Sequence, residues 1–265
     1  MCKIVLNCDG FDSTLESVSA ILNISSYEII NFCKSFETVD ENILYAEIMK
    51  RHNKTSIKNV DYTNLFHMTR YDVDEIDHFL RYGLLTRDNS LNIIWNNLYK
   101  SVKNNQSLDE FNSIKHKVMS DYINLKRING SITDDGPNGL LINDVDIIKD
   151  YHFLNVNQGP ELIEDLINKF EQIKGKIMFT SFMHTKKPIL IVFRLKVFFE
   201  KYLITALWFI YSTINQLEWV STNNRTIDVL KDFNLFVNPD QIIEIRVLNQ
   251  SGQILSTIYS RECKV

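Results

Sequence analysis

Glycine, proline and cysteine are all scarce in this chain of 265 residues, which contains 8 glycines, 4 prolines and 4 cysteines. So few glycines and prolines argue against a long flexible linker or a low-complexity tail, since such segments are built largely from these residues. The cysteines are widely separated and form no Cys-x-x-Cys pair: Cys2, Cys8, Cys33 and Cys263. This spacing argues against a disulfide framework and a structural zinc site, and it predicts reduced thiols in a cytosol.

An excess of charge of one sign and a long apolar segment are also missing. The formal net charge is −4 with acidic and basic residues well mixed, so no basic stripe is present that would follow a phosphate backbone. The best membrane candidate is the uncharged run 202–217, which is shorter than the roughly 20 apolar residues that cross a bilayer. The first residues lack the apolar core of a secretory signal. We therefore expect a cytoplasmic protein without a membrane segment.

Short helices are predicted at the start of the chain, because apolar residues return every three or four positions in 15–25, 26–36 and 41–52. Ser25 and Glu28 form a capping box at the start of the second helix. The first two helices have the spacing of a DNA-binding helix-turn-helix, but the second carries one Lys and one Glu, which favours a packing or partner-docking bundle. A nucleic-acid role is the remaining alternative, and it would use these basic side chains: Lys34, Lys50, Arg51, Lys54 and Lys58.

A strand, an acidic turn and a helix follow. The run 62–70 is β-prone, and a helix over 72–82 ends at Gly83, the usual residue after a helix terminus. Two more helices are predicted at 90–102 and 108–127. The second has an apolar stripe made of Phe111, Ile114, Val118, Tyr122 and Leu125.

A turn-rich segment, 129–139, separates the helical first half from a second half with more strand character. In the second half we predict a helix at 162–172 and a run of undecided type at 202–211, in which Trp208 is largely buried. We also predict strands at 140–142, 177–182, 188–195, 216–220 and 241–248. The predicted fold is therefore α+β. A small N-terminal helical subdomain (1–58) precedes a mixed or antiparallel sheet domain (59–265), which carries a helical insert at about 86–130.

The common cofactor and hydrolase motifs are absent, and a discontinuous pattern remains. An apolar strand with His-x-Thr precedes a helix closed by Gly-Leu, and a Thr-Ser strand, a Gln-x-Glu and a closing strand at 241–248 come later. In chain order the residues that carry this pattern are His67, Thr69, Arg70, Gly83, Leu84, Thr180, Ser181, Gln216 and Glu218. The order and the approximate spacing resemble the motifs of the ADP-ribosyltransferase superfamily.

That resemblance implies NAD-dependent transfer of ADP-ribose to a macromolecule, or NAD hydrolysis, by an intracellular toxin or defence-type protein, with NAD as the substrate. His67 with Thr69 would contact the hydroxyls of the nicotinamide ribose, or Arg70 would hold the pyrophosphate. The middle strand would add Thr180 and Ser181 to the binding surface. Loss of nicotinamide leaves an oxocarbenium-like sugar, which a carboxylate at Glu218 would stabilise. Gln216 would point into the same cleft, because strand side chains repeat every second residue.

Several alternatives stay open. Glu161 is the rival acid, although a carboxylate in the first turn of a helix is also favoured by the helix dipole alone. The segments 67–83, 159–161 and 188–192 further resemble a bacterial protein family that supplies no mechanism. The first motif does not decide between the Arg-Ser-Glu and His-Tyr-Glu branches of the superfamily. The second functional hypothesis is a non-catalytic binding or regulatory protein with a degenerate cleft, and neither hypothesis requires a metal.

Overall fold

Helices and a mixed five-stranded sheet together form an α+β fold, as the sequence predicts. The computed structural model of the chain describes residues 3–102, 108–128, 137–144, 166–168, 170–171, 186–217, 227–228 and 236–261. The predicted Thr-Ser strand with Thr180 and Ser181, the acid Glu218 and its rival Glu161 lie outside these residues. No helix in the described part of the chain is long and apolar enough to cross a membrane.

The strands of the described residues are β1 (Val5–Leu6), β2 (Cys8–Asp9), β3 (Tyr62–Tyr71), β4 (Asn138–Gly139), β5 (Ile142–Asn143), β6 (Lys187–Leu195), β7 (Ile227–Asp228), β8 (Ile242–Leu248) and β9 (Ile254–Ser260). The large sheet has the order β1-β3-β6-β8-β9. Strand β1 is parallel to β3, and the other neighbours are antiparallel. Two small ladders pair β2 with β5 and β4 with β7.

The helices of the described residues are α1 (Gly10–Leu22), α2 (Ser26–Ser35), α3 (Glu41–Arg51), α4 (Asp77–Tyr82), α5 (Arg87–Val102), α6 (Leu108–Ile128) and α7 (Glu200–Ile214). The predicted capping box at the start of α2 is confirmed, since Ser25 Oγ accepts from the Glu28 N–H and Glu28 Oε2 accepts from the Ser25 N–H. The predicted helix at 72–82 is divided into a 3₁₀ turn (Val73–Glu75) and α4.

One face of the sheet carries a helical layer made of α1, α2, α3 and α7. Apolar side chains from these helices and from alternate positions of β3, β6 and β8 form a continuous core. Its fully buried members include Ile21, Ile29, Leu44, Leu65, Ile191, Phe193, Ala206 and Ile245. The helix α1 contacts the sheet, and α2 and α3 pack against α7 within the same core, while the division of the chain at residue 58 stays a prediction.

The opposite face of the sheet has a smaller apolar cluster, in which Phe66, Leu190 and Val192 are buried. A third cluster joins α5 and α6 to helical residues 166–168 and 170–171, with the rings of Trp95, Phe111 and Phe170 in mutual contact. The stripe predicted for α6 is thus partly confirmed, because Phe111 and Val118 are buried and Ile114 packs against them.

The run of undecided type, 202–211, lies within the helix α7, which packs against α1, α2 and α3. Most of its apolar residues are buried, but Trp208 is only half-buried and stacks on Tyr211. Trp208 is thus partly buried against the core, in agreement with the prediction that it is largely buried. An apolar run on a helix of a surface layer leaves one side chain per turn or two near solvent.

Candidate functional site

The strand β3 holds the residues of the first predicted motif. Its pairing with β6 is antiparallel and unbroken from Thr63–Leu195 to Tyr71–Lys187, so its side chains alternate strictly between the two faces of the sheet. Leu65 and Tyr71 belong to the core on the helical face, whereas Phe66 and Met68 belong to the cluster on the other face. The position of every other β3 side chain follows from this alternation.

His67 and Thr69 therefore lie on one face of β3, the face that carries Leu65 and Tyr71. Both are half-buried, and their neighbours across the ladder are Ile191 and Ile189, which are fully buried. Two polar side chains thus lie two positions apart on the strand, each opposite a buried isoleucine of β6. Such an arrangement can present a donor and an acceptor to the vicinal hydroxyls of a sugar.

Arg70 does not share that face. Arg70 lies an even number of positions from Phe66 and Met68 and therefore shares their face of the sheet. Its Nη2 donates a hydrogen bond of 2.9 Å to the carbonyl oxygen of Lys186. Burial lowers the pKa of the Arg70 guanidinium. The three predicted NAD-binding residues of β3 are therefore divided between the two faces of the sheet. Arg70 is one residue from Thr69 and three from His67, and an odd separation along a strand puts side chains on opposite faces.

Aromatic rings attach α4 to the end of β3. The ring of Tyr71 lies 4.6 Å from that of Phe79 and 5.8 Å from that of His78, between centroids. Burial and the negative charge of Glu75 raise the pKa of Tyr71 to about 12. Burial also lowers the pKa of His78, and Glu75 partly offsets this effect. The ring of His78 also packs against those of Phe79 and Tyr82, at 5.6 and 5.1 Å between centroids.

The helix-closing Gly-Leu has a clear structural cause. Gly83 has φ 74° and ψ −156°, and a Cβ at this position would overlap the carbonyl oxygen of Val237. That close approach allows Leu84 and Val237 to exchange two backbone hydrogen bonds, of 3.0 and 2.9 Å. The first motif is thereby joined to the segment that leads into β8, through a 3₁₀ turn at Pro239–Gln241. The segment before the predicted closing strand therefore contacts the end of the first motif, while β8 itself is separated from β3 by β6.

Gln216 lies in a turn and not on a strand, so the prediction of a strand from residue 216 is wrong at its first positions. The helix α7 continues to Ile214, and Gln216 then takes a left-handed conformation with φ 54°. The Leu217 N–H donates to the Ser212 carbonyl, which is the hydrogen bond typical of a helix that ends in this way. Gln216 is exposed, and the alternation argument that paired it with Glu218 no longer holds.

A polar network that no sequence motif indicated lies on the face opposite His67. Arg246 donates from Nη1 and Nη2 to Asp9 Oδ1 and Oδ2, at 3.1 and 2.6 Å, and from Nη2 to Glu244 Oε2 at 2.6 Å. The Asn143 amide also donates to Asp9 Oδ1, at 2.6 Å. Burial alone lowers the pKa of Arg246, but the hydrogen bonds to Glu244 and Asp9 outweigh it, and the net effect raises the pKa.

This network connects β2 and β5 to β8 across the sheet. Asp9 lies 134 residues from Asn143 and 237 residues from Arg246, so no local pattern could reveal these contacts. One signal was available: Glu244 and Arg246 are two residues apart in a predicted strand, which puts two charges on one strand face. Because Arg246 is engaged by both carboxylates, we interpret the network as a structural link between these strands.

The described residues contain no group of three or more His, Cys, Asp or Glu side chains arranged to hold a metal ion. No protein-family model matches the chain, and no curated protein or solved structure matches it. The assignment of a function therefore depends on the chain's own residues.

Proposed function

We propose that the chain binds NAD and uses it as a substrate, either to transfer ADP-ribose to a macromolecule or to hydrolyse NAD. The observation that carries the proposal is the pair His67 and Thr69, half-buried on one face of the strand β3. A second observation supports it. Leu84 of the first motif is hydrogen-bonded to Val237, in the segment that precedes the closing strand β8.

In the proposed reaction, the His67 imidazole and the Thr69 hydroxyl contact the two hydroxyls of the nicotinamide ribose. The bond between C1′ and the nicotinamide nitrogen breaks, its electron pair leaves with neutral nicotinamide, and C1′ becomes cationic. Glu218 is the proposed carboxylate that stabilises this cation. Water or a nucleophile of the target then attacks C1′ and releases a proton. Glu161 remains the alternative acid.

A non-catalytic binding or regulatory protein is the second candidate function. The exposed turn at Gln216 favours it, because one of the two residues of the expected Gln-x-Glu pair is not on a strand. Such a protein would retain affinity for NAD or ADP-ribose through β3 and would not release nicotinamide.

Titration calorimetry with NAD tests the binding surface that both candidates share. We expect Thr69→Val, which keeps the side-chain shape and removes the hydroxyl, to weaken NAD binding by about tenfold. His67→Ala should weaken it to a similar extent. His52→Ala is the matched control, since His52 is also half-buried but lies at the end of α3. Unchanged affinity in both β3 variants would exclude this face as the binding surface.

A further inference from the structure

The edge strand β9 has an unusual surface. It lies at the end of the five-stranded sheet, and no described residue pairs with its outer edge. All seven of its residues are exposed or half-exposed, including Ile254 at 52%, Leu255 at 64% and Ile258 at 39%. A row of outward N–H and C=O groups beside exposed aliphatic side chains is a template for pairing with another strand.

The composition of β9 points to a neutral partner. Edge strands are commonly protected by lysine, other charges or proline, and the segment 254–260 contains none of these. Two irregularities in the β8–β9 ladder leave Leu255 and Ile258 as extra residues without a partner on β8. Bulges of this kind redirect side chains and increase the strand twist. Both extra residues are exposed aliphatic side chains, and no charged residue of 254–260 lies beside them to discourage association.

We propose that β9 is the interface for a second copy of this chain, with the two β9 strands antiparallel about a two-fold axis at Thr257. This register places Leu255 opposite Tyr259 and Ile258 opposite Ser256, so both exposed aliphatic residues gain a cross-strand neighbour. Aliphatic–aromatic and Thr–Thr pairs are favourable across antiparallel strands. Both strands carry the same twist, because the two copies are related by symmetry.

Charge is compatible with this arrangement. Within 254–260 no like charges oppose each other, and the first charged residue, Arg261, would lie opposite the neutral Gln253 of the second copy. Pairing of a single strand buries less surface than a standard protein interface, so the dimer should be weak and its population should rise with concentration.

Sedimentation velocity over a range of concentrations tests the proposal. The wild-type chain should shift from monomer to dimer as its concentration rises. Thr257→Lys places like charges opposite each other at the axis and should weaken dimerisation by about tenfold or more. In the monomer the new ammonium group lies near Glu244, whose Oε1 now accepts from Thr257 Oγ1 at 3.3 Å, so the variant should stay folded. Val39→Lys, at a position 96% exposed between α2 and α3, is the matched control and should dimerise as the wild type does.

A charge-pair experiment makes the test specific to the axis. Thr257→Glu alone should also be monomeric, and an equimolar mixture of the Lys and Glu variants should restore the dimer, because opposite charges then meet. Leu255→Lys is a second variant that should weaken the dimer without placing charges at the axis. A wild-type chain that is monomeric at every concentration would overturn the proposal, and so would Thr257→Lys and Leu255→Lys variants that dimerise as the wild type does.

Discussion

Replacing Gly83 by alanine should destabilise the protein strongly, for two separable reasons. The backbone conformation at φ 74° and ψ −156° is one that residues with a Cβ rarely adopt, at a cost of about 1–3 kcal/mol. The added Cβ would also displace the Val237 carbonyl and break the two hydrogen bonds between Leu84 and Val237, worth about 1 kcal/mol each. We expect the free energy of unfolding to fall by about 3–5 kcal/mol.

Gly10→Ala separates strain from steric overlap. Gly10 also has a positive φ, of 80°, but a Cβ there would meet no atom within 4 Å. The backbone strain of an alanine at position 10 is partly offset, because alanine also reduces the entropy of the unfolded chain. The free energy of unfolding should therefore fall by only about 1 kcal/mol. Urea unfolding of both variants gives the comparison. Equal losses, or a Gly83→Ala loss under about 1 kcal/mol, would refute the close approach of Val237 to Gly83.

Three further predictions concern buried groups. Arg246→Met leaves two partly exposed carboxylates without their shared cation, so the free energy of unfolding in urea should fall by about 2–4 kcal/mol. Lys50→Met, at an exposed ion pair, should leave the free energy of unfolding almost unchanged. Equal effects of the two substitutions would contradict the network. Burial raises the pKa of Cys8 and of Cys33 to about 12, so neither thiol should be alkylated in the folded protein at neutral pH, and rapid labelling seen by mass spectrometry would contradict their burial. Because these pKa values lie above the unfolded value of 9.0, stability should fall as the pH rises from 9.0 toward about 12.

Local signals in the sequence predicted much of the fold. The N-terminal helices follow from the 3.6-residue periodicity and from the capping box at Ser25, and β3, β6 and β8 follow from β-prone runs. The β9 strand was missed, although a turn at Asn249–Gly252 and a β-branched run were available to predict a hairpin. The two-residue strands β1 and β2 are too short to have a periodicity of their own.

The candidate site was less predictable, because it depends on where elements end and on pairing between distant residues. The two-residue alternation of a strand, applied to the sequence of β3, is enough to separate Arg70 from His67 and Thr69. The uncharged run 202–217 contains no residue that marks the end of α7, and Gln216 was therefore predicted to lie on a strand. The contacts of Arg246 join positions 237 residues apart in the chain, beyond the reach of any local pattern.

The replacement Glu218→Gln tests the proposed chemistry, because it keeps the shape of the side chain and removes its charge. If Glu218 stabilises a cationic ribose, nicotinamide release from NAD should slow by about two orders of magnitude or more. The stability of the variant should change by no more than about 0.5 kcal/mol, as expected for a substitution that leaves the fold intact. Glu161→Gln is the comparison variant, since Glu161 is the alternative acid.

The decisive measurement is the rate of nicotinamide release from labelled NAD by the wild type, Glu218→Gln and Glu161→Gln. The rate is measured with and without cell extract, and a melting curve first establishes that each protein is folded. We expect turnover by the wild type and its loss in Glu218→Gln at an unchanged melting temperature. Loss in Glu161→Gln alone would move the acid to Glu161. NAD binding without turnover by the wild type would identify a binding protein. A wild type that neither binds nor consumes NAD would contradict the proposed function.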